Sequence, residues 1–96
     1  MKLIEVPQYH VIRMDGKLYE LVDSYIGAQG NVQFSWHRIY RDGRTNIHGK
    51  CTFDREFVET KEVEDLGDFY DWMKENHPIR YKRERWEETR PKEESK

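Results

Sequence analysis

The run Val32-Gln33-Phe34-Ser35-Trp36-His37-Arg38-Ile39-Tyr40-Arg41-Asp42-Gly43-Arg44-Thr45-Asn46-Ile47-His48-Gly49-Lys50-Cys51-Thr52-Phe53 sets two alternating segments about one Asp-Gly pair. Asp-Gly supplies the positive φ angles that a type I′ turn demands, so the pair predicts a two-residue hairpin turn. With Asp42 and Gly43 at the tip, Tyr40 faces Thr45, Arg38 faces Ile47, Trp36 faces Gly49, Phe34 faces Cys51 and Val32 faces Phe53. Strand side chains alternate with period two, so these pairs share one face, which carries Val32, Phe34, Trp36, Ile47, Cys51 and Phe53. Glycine opposite tryptophan leaves room for the indole. The other face sets Gln33, Ser35, His37, Ile39 and Arg41 against Thr52, Lys50, His48, Asn46 and Arg44. Two segments read independently agree on which side is apolar.

Upstream, Asp15-Gly16 predicts a second tight hairpin. Here Ile12, Met14, Tyr19 and Leu21 share a face with His10, while Tyr9, Val11, Leu18 and Val22 share the other with Arg13 and Glu20. Both faces are partly apolar, which predicts a bent sheet, a bulge, or strands covered on both sides as in a small closed barrel. Downstream, Phe57 to Val63 reads as a short, charged edge strand. Asp65 then reads as a helix cap, and Leu66, Phe69, Tyr70 and Met73 fall at helical spacing on one face. His77-Pro78 ends that helix, because a residue before proline avoids the helical region. The predicted fold is a small α+β domain. It has an antiparallel β-meander or partly closed β-barrel of four or five strands, two Asp-Gly hairpins and one C-terminal amphipathic helix.

The 96 residues suffice for one domain, expected over residues 1–81. From Lys82 to Lys96 eleven of fifteen residues are charged, and Trp86 is the only large apolar one. Such a stretch buries little surface against its ordering entropy, so residues 82–96 read as a charged flexible tail, with continuation of the helix through Arg85 or Trp86 as the alternative.

Charged residues make up 38% of the chain, yet the net charge is only −2, which excludes a uniform polyelectrolyte binder. The charge is separated along the sequence. Residues 31–55 are net basic, residues 56–77 strongly acidic, and residues 78–96 mixed. No apolar run is long enough for a transmembrane helix, and the N-terminus lacks a signal peptide's apolar stretch. A lone Cys51 excludes an internal disulfide and fits a reducing compartment, so a cytoplasmic location is expected.

Catalytic and metal signatures are weak. Cys51 reads as a small core hydrophobe, and no nucleophile elbow, phosphate loop or dinucleotide fingerprint is present. His37 and His48 face each other on the hairpin's polar side, but no third ligand has diagnostic spacing. No enzymatic activity, cofactor or metal is expected. Two surfaces remain. The acidic helix region, with Glu64, Asp68, Asp71 and Glu75 around Trp72, offers an aromatic anchor ringed by carboxylates for a basic partner protein. Its bland counterpart is that Trp72 completes the core and the acids merely solvate the helix. The polar hairpin face, with His37, Arg41, Arg44, His48 and Lys50, offers cationic donors for single-stranded DNA or RNA. The leading expectation is a non-enzymatic binding protein of adaptor or inhibitor type, of a size that suits a viral accessory protein. The nucleic-acid module is the alternative, and a subunit whose site is completed by oligomerisation is a third.

Overall fold

The computed structural model describes residues 1–46 and 49–91. After a short 3-10 helix at Leu3–Glu5 come strands β1 (His10–Met14), β2 (Lys17–Ile26), β3 (Val32–Ile39) and β4 (Gly49–Phe53). Helix α1 (Arg55–Thr60), strand β5 (Glu64–Asp68) and helices α2 (Phe69–Asn76), α3 (Pro78–Arg83) and α4 (Trp86–Thr89) follow. The five strands form one antiparallel sheet in the order β4-β3-β2-β1-β5. The first four strands are a meander, and β5 returns to pair with β1. β4 and β5 lie at opposite edges, so the sheet is open and the closed-barrel form of the expectation does not occur.

Both Asp-Gly pairs turn the chain, by different means. Asp15 and Gly16 have φ of 53° and 79°, the two positive angles of a type I′ turn, and Met14 pairs with Lys17 as expected. At the second tip only Gly43 is positive, at 91°. Gly43 N–H donates to Tyr40 O at 2.9 Å and Tyr40 N–H to Arg44 O at 2.8 Å, which makes a three-residue loop with glycine in the left-handed position. Near this tip Ile39 therefore bridges Thr45, one place off the expected register. Beyond it the pairs Trp36–Gly49, Phe34–Cys51 and Val32–Phe53 are those the alternation predicts. Ile47, and with it the expected Arg38–Ile47 and His37–His48 pairs, lies outside the described residues.

The mixed polarity of β1 and β2 has a plain cause: both faces of the sheet are covered. On the first face Ile12, Leu21, Val32 and Phe34 are buried with Leu3, Val58 and Val63, beneath the 3-10 helix and α1. On the second, Val11 and Ile39 are buried with Phe69, Met73 and Tyr81 of α2 and α3. Burying each such aliphatic side chain contributes about 2 kcal/mol. The ladders carry one bulge in β2 at Val22 and one in β5 at Leu66, opposite Val11 and Ile12.

The expected edge strand at Phe57 to Val63 is replaced by α1. Arg55 and Glu59 pair one turn apart at 2.9 Å, Thr60 Oγ1 donates to Glu56 O at 2.8 Å, and the turn buries Val58 completely. The fifth strand instead begins at Glu64. Helix α2 starts at Phe69, not after Asp65, because the chain through Asp68 pairs with β1 as β5, with Gly67 at φ +96° beside the bulge. Asp68 is the cap: its Oδ2 accepts from the backbone N–H of Tyr70 at 3.0 Å and Asp71 at 3.1 Å.

His77 and Pro78 end α2 as expected, and proline then occupies the first turn of α3. The chain stays helical past the expected boundary at Tyr81. Trp86 packs edge-on to Phe69 at 5.4 Å, to Tyr70 at 5.8 Å and to Tyr81 at 6.2 Å. One aromatic anchor thus brings a strongly charged segment back onto the domain, together with ion pairs described below.

Candidate functional site

The acidic region is built on the β5–α2 corner. β5 hydrogen-bonds to β1, and the Asp68 cap fixes the direction in which α2 leaves the sheet. Phe69 and Met73 anchor the helix in the second core. Asp71 and Glu75 sit one helical turn apart on its exposed side. Glu64 lies at the far end of β5, about 13 Å along the strand from Asp68 at ordinary strand rise. The geometry therefore groups Asp68, Asp71 and Glu75 and leaves Glu64 apart.

Several of these carboxylates already have partners. Arg90, just past α4, lies 3.1 Å from Asp68 Oδ2 and 2.7 Å from Asp71 Oδ1. Burial opposes the charge on Arg90, but the Tyr81 hydroxyl and the Asp71 carboxylate outweigh it and hold the guanidinium more firmly protonated than usual. Glu64 pairs with Arg13 across the β1–β5 ladder at 2.5 Å. Glu75 is exposed and makes no ion pair among the described residues. Trp72 is half-buried. It packs against the second core and tilts onto the His77 ring at 5.5 Å. It borders the carboxylates instead of projecting among them. Arg90 is the residue that sequence reasoning missed. Its only signal was an arginine in a mixed-charge stretch, four residues past the one apolar side chain.

The basic set is dispersed. His37 Nδ1 is 3.0 Å from Glu20 Oε1, and Glu20 is buried. Burial raises the Glu20 carboxyl above its ordinary range, and the His37 contact pulls the other way. Arg44 pairs with Asp42 at 2.7 Å. Arg41 and Lys50 are exposed and make no ion pair among the described residues, and His48 lies outside them. Ile39, expected on this polar face, is buried under the helices. The hairpin tip is itself docked. Arg80 donates to Gly43 O, and a Cβ at Gly43 would come within 2.8 Å of the His77 ring. Phosphate contacts could use Arg41 and Lys50, and Tyr25, which is exposed and pairs with Gln33 on this face, is the aromatic placed to stack a base.

Among the described residues no group of three or more His, Cys, Asp or Glu side chains could hold a metal ion. No helix among them is long and apolar enough to cross a membrane. No family model, curated protein or solved structure matches the chain.

Proposed function

We propose that this chain is a non-enzymatic binding protein of adaptor or inhibitor type. It docks on a basic surface of another protein through the carboxylates of α2, and it acts in the cytoplasm. The observation that carries the reading is Asp71 and Glu75, exposed one turn apart on a helix that capping and core packing hold in place, with Trp72 at their border. Carboxylates on a pre-positioned helix give charge complementarity at little ordering cost. Arg90 tempers this surface from within, so a basic partner competes with it for Asp71.

The test is charge reversal at positions that do not build the fold. Asp68 is unsuitable because it caps α2. Glu75→Lys, which breaks no ion pair among the described residues, should sharply weaken capture of the partner from extracts of the source cell while the thermal midpoint stays near that of the unaltered protein. Undiminished capture by that variant overturns the reading.

The nucleic-acid reading is second. It is supported by Arg41 and Lys50, whose charges are not spent on internal ion pairs among the described residues. It predicts salt-sensitive binding to single-stranded oligonucleotides that Arg41→Ala and Lys50→Ala together weaken. No binding at low salt removes it.

A further inference from the structure

The first face of the sheet is incompletely covered. Beneath the 3-10 helix lies a cavity of about 190 Å³ walled by Ile12, Met14, Tyr19, Phe34, Trp36 and Cys51, among others. Its aromatic wall is fixed. Tyr19 meets Trp36 edge-on at 5.0 Å, and the indole N–H donates to Cys51 Sγ at 3.1 Å. The indole also lies over Gly49, where an added Cβ would come within 2.6 Å of the ring.

Arg38 follows Trp36 by two residues on β3, so it stands on the same face, directly opposite Tyr19 in the ladder. Its guanidinium is 5.9 Å from the Tyr19 ring centroid and 5.0 Å from that of Tyr40. Among the described residues no carboxylate pairs with it, and its buried Nε–H has no acceptor. A guanidinium does not shed its proton, and a buried donor without an acceptor is costly, so this corner of the sheet is short of one hydrogen-bond acceptor, which a carboxylate would supply with matching charge.

We propose that the cavity binds a small amphipathic carboxylate, with an aryl or short acyl body against Tyr19 and Trp36 and the carboxylate on Arg38. The size is apt, since an apolar cavity of about 150 Å³ accepts benzene. The charge is apt because a planar guanidinium matches a carboxylate. This site is independent of the docking surface on α2, which lies beyond the opposite face of the sheet.

The experiment is a titration of the full chain with phenylacetate and hexanoate, each beside its neutral amide, followed at the Trp36 indole N–H by nuclear magnetic resonance. The proposal expects the Trp36 signal to move and at least one carboxylate to bind about tenfold more tightly than its amide, as a charge-assisted hydrogen bond would give. Which of the two binds more tightly assigns the body as aryl or acyl. Arg38→Met should lower carboxylate affinity to that of the amide. Equal binding of carboxylate and amide, an unmoved Trp36 signal, or undiminished selectivity in Arg38→Met overturns the proposal. Should that variant not fold, the carboxylate-to-amide ratio in the unaltered chain decides.

Discussion

The guanidinium of Arg90 bridges Asp68 and Asp71, at 3.1 Å and 2.7 Å, and so ties the end of the described chain to the first turn of α2. One of those carboxylates builds the helix and the other faces solvent, so this single arginine links stability to the charge of the candidate surface. Arg90→Ala should cost about 1 kcal/mol by denaturant unfolding, as expected for a partly shielded guanidinium shared between two carboxylates. It should at the same time strengthen association with a basic partner, because Asp71 is released.

Trp86 is the apolar half of the same attachment. Trp86→Ala should destabilise the domain by about 2 to 3 kcal/mol, below the range for a fully buried tryptophan. Amide exchange should quicken through Pro78–Arg83 and Trp86–Thr89 before it does in β2 and β3. Uniform loss of protection would mean that the two helices are not a separately anchored layer.

The two aspartates before α2 separate cap from ladder. Asp68→Ala should cost about 1 kcal/mol or somewhat more, from the lost cap and the lost contact to Arg90. Asp65 accepts from Gly67 N–H at 2.9 Å and from His10 Nδ1 at the same distance. Its removal should therefore perturb the β1–β5 ladder and leave the helicity of α2 intact by circular dichroism.

These elements also mark where local sequence is informative. Asp15-Gly16, Asp42-Gly43 and the alternation around them are local signals, and they yielded the meander and its register away from the second tip. The apolar residues on both faces of β1 and β2 left a bend, a bulge or covering on both sides open; bulges and two covered faces occur together, in an open sheet and not a barrel. Glu64 to Asp68 contains one large apolar residue and a glycine, so its strand pairing with the distant β1 left no periodic trace. Val58 is buried by the 3-10 helix at the other end of the chain, which overrides the weak strand preference of Phe57 to Val63. The carboxylates of α2 could be listed from sequence. That Arg90 would cover two of them, and that Trp72 would turn toward the core, depended on a fold-back that composition argued against.

Glycine at position 49 was legible from its place opposite Trp36. Gly49→Ala forces the indole or the strand to move, since the new Cβ would lie 2.6 Å from the ring. The expected cost is about 1 to 3 kcal/mol in chemical denaturation, as for an overpacked core site.

Acid should weaken the junction between the N-terminus and the segment just before β5. Lys2, and after it the N-terminal ammonium of Met1, hold Glu62 down from its ordinary 4.5 to about 2. A carboxylate with a depressed folded value stabilises above its unfolded value and loses that effect as pH falls through the folded one. Glu62→Gln should therefore be less stable than the unaltered chain at neutral pH, and the gap should close between pH 4.5 and 2. A gap independent of pH would show that the ion pair does not carry the effect.

The central claim is that α2 carries the docking surface. It is tested most directly by adding the captured partner to the isotopically labelled chain and mapping the nuclear magnetic resonance shifts. The account predicts changes at Asp71, Glu75 and the Trp72 indole, with Arg41 and Lys50 unmoved. Changes confined to Arg41, Lys50 and their neighbours on β4 would contradict it.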